Sequence, residues 1–200
     1  MLAALLLLTY SSTRAQSTTT LPNLSPTLAI SSNLLYDATT SMNFGLELRV
    51  SETWTLKLPV TYNPWELKDN KKFKFLLVQP EIRKWLCEPF AGHYFGLHAH
   101  YGLLNMSKLT ELDGVNFSGI NFSYLKDHRY EGYLFGAGLS YGYNFYLAPR
   151  WNLEANIGLG YARLEYDRYE CQECGKKEKT GSADYFGPTQ VGLSLIYIIK

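Results

Sequence analysis

Residues 133–148 read YLFGAGLSYGYNFYLA and alternate between two very different sets of side chains. One set is Tyr133, Phe135, Ala137, Leu139, Tyr141, Tyr143, Phe145 and Leu147; the other is Leu134, Gly136, Gly138, Ser140, Gly142, Asn144 and Tyr146. A period of two marks a β-strand, whose successive side chains point to opposite faces. A soluble sheet puts bulk inward and charge outward, but here the second face is almost bare. That fits a strand of a narrow closed barrel, where inward side chains compete for one small lumen and Gly and Ser relieve the crowding.

The same alternation runs through seven other segments, so strands are expected at 28–36, 42–51, 53–62, 74–87, 93–105, 130–148, 151–166 and 185–199. In the second, Phe44, Leu46, Leu48 and Val50 oppose Asn43, Gly45, Glu47 and Arg49. In the fifth, Phe95, Leu97, Ala99, Tyr101 and Leu103 oppose Gly96, His98, His100 and Gly102. The apolar face holds no charge and the other holds nearly all of it. A soluble ligand-binding barrel has the opposite polarity, so the greasy face is expected to meet lipid. Trp54, Tyr62, Trp151 and Tyr197 lie near strand ends, where interfacial aromatic girdles form.

Connections after the second, fourth and sixth strands are short, at 51–52, 88–92 and 149–150, while those after the third, fifth and seventh run from about ten to over twenty residues, and the first, 37–41, breaks the pattern by being short. An even strand count with short turns at one end and long loops at the other is the outer-membrane barrel pattern. The expected fold is therefore all-β, an eight-stranded antiparallel up-and-down transmembrane β-barrel with a side-chain-filled polar interior and periplasmic termini.

The chain has 200 residues, 16 of them Tyr and 16 Gly, a composition that favours strands. Residues 1–15 read as a signal peptide, built on the apolar run 2–8 and a cleavage position after Ala15, and 16–27 read as a flexible lead. Residues 28–200 form the barrel domain. Without residues 1–15 the chain carries 18 basic and 18 acidic residues, so its charge offers nothing for nucleic acid.

Six inward charges are expected to face each other: Glu47, Lys57, Glu81, Arg83, Arg49 and Glu154. Three acids and three bases form a salt-bridge network, because a buried charge is costly unless paired. His98 and His100 are expected to join it. Structural fill is the favoured reading, over a gated ion path. Near the end of the loop before the sixth strand, Ser123, Asp127 and His128 are the candidates for a catalytic dyad or triad at the rim, with polar anchoring as the alternative. Cys171 and Cys174 form a C-x-x-C in the last loop, read as a local disulfide, with free thiols or a metal shared with a partner left open. Cys87 lies at the other end and is expected to be unpaired. Residues 63–74, with Trp65, Lys68, Lys71, Lys72 and Lys74, are the expected contact loop for a surface partner or for lipopolysaccharide phosphates.

NLLYDATTSMNFGLEL at 33–48, YNPWELKDNKKFKFLLVQPEIRKWL at 62–86, GHYFGLHAHYG at 92–102, LKDHRYEGYLFGAGLSYGY at 125–143 and YFGPTQVGLSLIYIIK at 185–200 together resemble domain-of-unknown-function family 3575. That resemblance implies a small outer-membrane β-barrel of Bacteroides-like bacteria, often encoded with fimbria or surface-assembly genes, with no activity or catalytic residue to carry over. The chain differs from typical outer-membrane barrels in ending Ile-Ile-Lys rather than on an aromatic residue, with Tyr197 the nearest one. The expected function is structural or surface-interacting, with outer-membrane lipid, lipopolysaccharide and a fimbrial or other surface protein as partners of a monomer. No cofactor is expected. A lipid A-modifying enzyme and a small pore are the alternatives.

Overall fold

In the computed structural model, residues 26–67, 71–107, 116–117, 120–121, 128–170 and 175–199 are described. Nine strands build the main sheet: β1 (Leu28–Asn33), β2 (Met42–Arg49), β3 (Trp54–Asn63), β4 (Lys71–Val78), β5 (Glu81–Trp85), β6 (Gly92–Ser107), β7 (Arg129–Ala148), β8 (Trp151–Tyr169) and β9 (Lys177–Ile198). All pairings are antiparallel: β4 and β5 each pair with β3 on one side and β6 on the other, the remaining pairings join neighbours in the chain, and β9 pairs back onto β1, so the hydrogen bonds close into a ring.

The ring has eight members because β4 and β5 act as one strand. Val60 faces Val78 and Lys57 faces Glu81, an unbroken register along β3. The ladder lapses between them because Pro59 and Pro80 have no N–H to donate. Gln79 N still bonds Pro59 O at 3.1 Å, and Ala99 N bonds Pro80 O at 3.0 Å.

β1 stops three residues short of the expected Tyr36. The Asn33 side chain accepts from Leu35 N at 3.1 Å and caps a one-turn helix, α1 (Leu34–Ala38). It also bonds Leu193 N and Val191 O at 3.3 Å each, ending the β1–β9 ladder. At the other end of the ring the 86–91 turn folds inward. Phe90, held at φ 65, is buried with Ala29 and Ile196, and its carbonyl accepts from Asn152 Nδ2 at 2.8 Å.

The strands are unequal. β1, β2 and β3 have 6, 8 and 10 residues, whereas β7, β8 and β9 have 20, 19 and 22. The last of these begins eight residues before the expected 185. Outward positions are apolar and exposed around the ring, including Phe44, Leu56, Leu97, Leu139, Ile157 and Val191. At the level of the charged residues the inward set is mostly polar and buried. No helix among the described residues is long and apolar enough to cross a membrane.

Phe90 closes the turn end of the interior by packing alone. Phe90→Ala should lower stability by about 3 kcal/mol, read as a shifted urea midpoint with unchanged slope.

Candidate functional site

Alternation along β2, β3, β5 and β8 carries five charged side chains to one level of the interior. Glu47, Lys57, Glu81, Arg83 and Glu154 are all at most 4% exposed. Arg83 is the hub. Its Nη1 and Nη2 grip Glu154 at 2.7 and 3.0 Å, Nη1 also reaches Glu47 at 3.0 Å, and Nε donates to Glu81 at 2.8 Å. Lys57 Nζ adds a bond to Glu154 at 3.0 Å. A planar guanidinium with five N–H donors suits three carboxylates at once; a lysine ammonium does not. The Tyr94 ring lies beneath the guanidinium, 4.2 Å from Cζ.

Neutral donors occupy the remaining carboxylate lone pairs. Thr55 Oγ1 donates to Glu47 at 2.6 Å and accepts from Trp85 Nε1 at 2.9 Å. Ser140 Oγ donates to Glu81. Arg49 does not take part, which corrects the expected balance of three acids and three bases. Its cross-strand partner Thr55 already serves Glu47, and Arg49 Nε turns back to Ser51 O at 3.0 Å. The cluster thus holds three carboxylates against two cations.

The bare face of residues 133–148 fits the strand beside it. Register sets Gly142 against Tyr94, Ser140 against Gly96, Gly138 against His98 and Gly136 against His100. A Cβ at Gly142 would lie 2.5 Å from Tyr94 Cζ, and one at Gly138 would lie 2.8 Å from His98 Cε1. Large side chains on β6 fill the space that glycines leave on β7.

The two histidines do not bond to the carboxylates. His98 Nε2 lies 2.9 Å from Thr189 Oγ1, while His98 Nδ1 and both nitrogens of His100 are buried with no partner among the described residues. A hydroxyl beside an imidazole is half of a nucleophilic pair, but no group among the described residues orients His98 through Nδ1, so these residues do not make a triad. Beside Lys57 lies a cavity of about 30 Å³ lined by polar groups that include Ser31, Asn33, Thr61, Asn156 and Gln190. It is sized for a single water. No group of three metal-ligating side chains occurs among the described residues.

The other expected site residues lie at the ends of the ring. Ser123, Asp127, Lys68, Cys171 and Cys174 fall outside the described residues, and so does any dyad of Asp127 with His128. His128 Nε2 lies 3.4 Å from Glu178. Residues 63–74 are partly a hairpin rather than a loop, since Glu66–Leu67 pairs with β4 at Lys71 and Lys72. Lys74 is paired to Glu66 at 2.7 Å, and Trp65 Nε1 donates to Thr40 O at 2.6 Å, which docks that segment on the turn after α1. Cys87 is free and exposed. At the tip of the β8–β9 pair, bonds from Lys177 and Thr180 hold the Asp167 carboxyl below its ordinary value.

Thr55, Trp85, Tyr94, Ser140 and Phe90 complete the interior and were not among the expected site residues. Thr55, Trp85 and Tyr94 had a signal, since each shares the inward parity of a predicted charge or histidine, and Ser140 lies on the bare inward face of residues 133–148. Phe90 had none, because a turn has no period.

These features define an antiparallel all-β protein whose hydrogen-bonded ring encloses a filled, charged interior. The chain matches the family model described as protein of unknown function (DUF3575) over residues 1–199, and it belongs to that family. No functionally curated protein and no solved structure matches it.

Removing Arg83 strands three buried carboxylates. Arg83→Met should destabilise by about 3–5 kcal/mol, and Arg83→Lys should recover only part of that, both read by urea unfolding. Gly142→Ala should also destabilise, by about 1–3 kcal/mol of overpacking against Tyr94. In a double-mutant cycle with Tyr94→Ala the two changes should couple by at least about 1 kcal/mol, and strict additivity would mean the size match is incidental.

Proposed function

We propose that the chain is an outer-membrane β-barrel that crosses the bilayer with its strands, keeps its lumen closed and offers the loop end of its tall strands to surface partners. The observation that carries this reading is the polarity of the ring. Buried charge lies inside, and an exposed apolar belt lies outside, the reverse of a soluble barrel.

The height of the belt supports the same reading. On β8 the outward residues stay apolar across 151–161 and then become Arg163, Glu165 and Asp167. A tilted spanning strand needs about 9–11 residues. Aromatics flank the belt at both levels, Trp54, Phe95, Trp151 and Tyr197 toward the turn end and Tyr62, Tyr101, Tyr133 and Tyr161 toward the loop end. β7 and β8 continue well beyond it. In this setting the charge cluster is structural fill, and the protein acts through its outer end, with a surface-assembly component such as a fimbrial protein as the expected contact.

A protease site inserted between Lys176 and Lys177 tests the orientation. Expected is outer-membrane fractionation with cleavage on intact cells; a soluble, protected protein would overturn the reading from the fold upward. Planar-bilayer recordings should show no conductance, and stable unitary currents would replace the closed lumen with a pore.

A further inference from the structure

At the loop end of the belt the inner face changes from polar to apolar. Register pairs Leu134 with both Gly102 and Leu164, and pairs Leu77 with Gly102, so these side chains share the inner face that holds the charges lower down. Phe75 and Leu104 pair on the same face one step higher. The outer face at this level is mixed, with Glu131, Arg163, Glu165 and Asp184 beside Tyr133, Phe135 and Leu103. An apolar inner face behind a partly charged outer one is the pattern of a wall that water reaches, with a greasy lining.

Among the described residues that lining has no strand along one side, where α1 packs against the lower part of β9. β1 ends at Asn33, β2 begins at Met42 and β3 ends at Asn63, so only β4, β6, β7, β8 and β9 continue upward. Among the described residues no strand pairs with β9 above Ser194 on the side facing β1. Extra chain is poorly placed to add there as a strand. Pro188 has no N–H, and the carbonyls of Pro188, Thr189 and Val191 already accept from Tyr185 Oη, Gln79 Nε2 and Asn33 Nδ2 at 3.2, 3.2 and 3.3 Å.

Basic groups crown the apolar wall. Arg168 pairs with Lys179 across β8 and β9, on the same inner face as Leu164. Arg168 Nε holds Glu178 at 2.9 Å, and Lys179 makes no ion pair among the described residues, so Lys179 is the cation of the rim left to face an anionic group. From residue 162 to 168 the wall rises about 20 Å.

We propose that this inner face binds the hydrocarbon chain of an anionic amphiphile, with Leu134, Leu164, Leu104 and Phe75 along the chain and Lys179 and Arg168 at the headgroup. The site rests on the barrel reading, under which the loop end faces the outside of the cell. His100 and the charge cluster floor it, so a ligand enters and leaves through the side without a strand rather than through the lumen.

The test uses the full chain in phosphatidylcholine nanodiscs, photolabelled with a diazirine-bearing sixteen-carbon fatty acid or the matching alcohol, and label positions read by mass spectrometry. Expected is labelling of the β7 and β8 segments around Leu134 and Leu164 by the acid, in addition to lipid-phase labelling around Leu139 and Leu159. Leu164→Glu, with folding checked by heat-modifiable gel mobility, should cut the inner labelling about tenfold and leave the outer labelling unchanged. Lys179→Glu should cut inner labelling by the acid severalfold and spare that by the alcohol. Outer labelling without inner labelling would overturn the site and leave the barrel reading standing, and would indicate that another part of this chain covers the face. Absence of label at Leu139 and Leu159 would instead remove the barrel reading. Equal effects of Lys179→Glu on acid and alcohol would overturn the role of the rim.

Discussion

Arg83 is fully buried, and its guanidinium holds three carboxylates that arrive on β2, β5 and β8. Each of those carboxylates has been taken from water into an interior with no bulk solvent to compensate it. The cost of each ion is several kcal/mol unless charge and hydrogen bonds are supplied locally. The fork of Arg83, with Lys57, Thr55 and Ser140 behind it, supplies them. Remaining inward positions are constrained by the same need, since whatever shares that space must be small, polar or already satisfied.

The glycines follow from this constraint. β6 brings Tyr94, His98 and His100 inward, and β7 must give way at each of those levels. Beside the charge cluster and the histidines, the apolar bulk of β7 therefore lies on the outer face, where nothing competes for volume. The reversed polarity of the ring and the composition of residues 133–148 are two results of filling a narrow interior with large polar groups.

Polarity also changes along the axis of the tall strands. Beside the middle of the outer belt the inside is charged, and toward the loop end, where charges join the aromatics outside, the inside becomes apolar. A wall surrounded by water on its outer face is stable with a greasy inner face only if something apolar covers that face. The proposed amphiphile site and the proposed membrane-crossing belt thus rest on one alternation, read at two heights.

The alternation itself was legible in the chain, because a period of two needs only the order of residues. It identified eight ring members and the inward parity of Glu47, Lys57, Glu81, Arg83 and Glu154. Other features depend on register and local bonding, which the order of residues does not carry. Arg49 has the inward parity but sits opposite Thr55, which already serves Glu47, so it turns to Ser51. Asn33 ends β1 because its side chain reaches backbone groups 158 and 160 positions away. Which glycine faces which histidine, and that Pro59 lies beside Gln79 and Pro80 to interrupt a ladder, are facts about cross-strand neighbours. Facing and periodicity are local properties of a strand; partnership is fixed only when the ring closes and each side chain meets the one opposite.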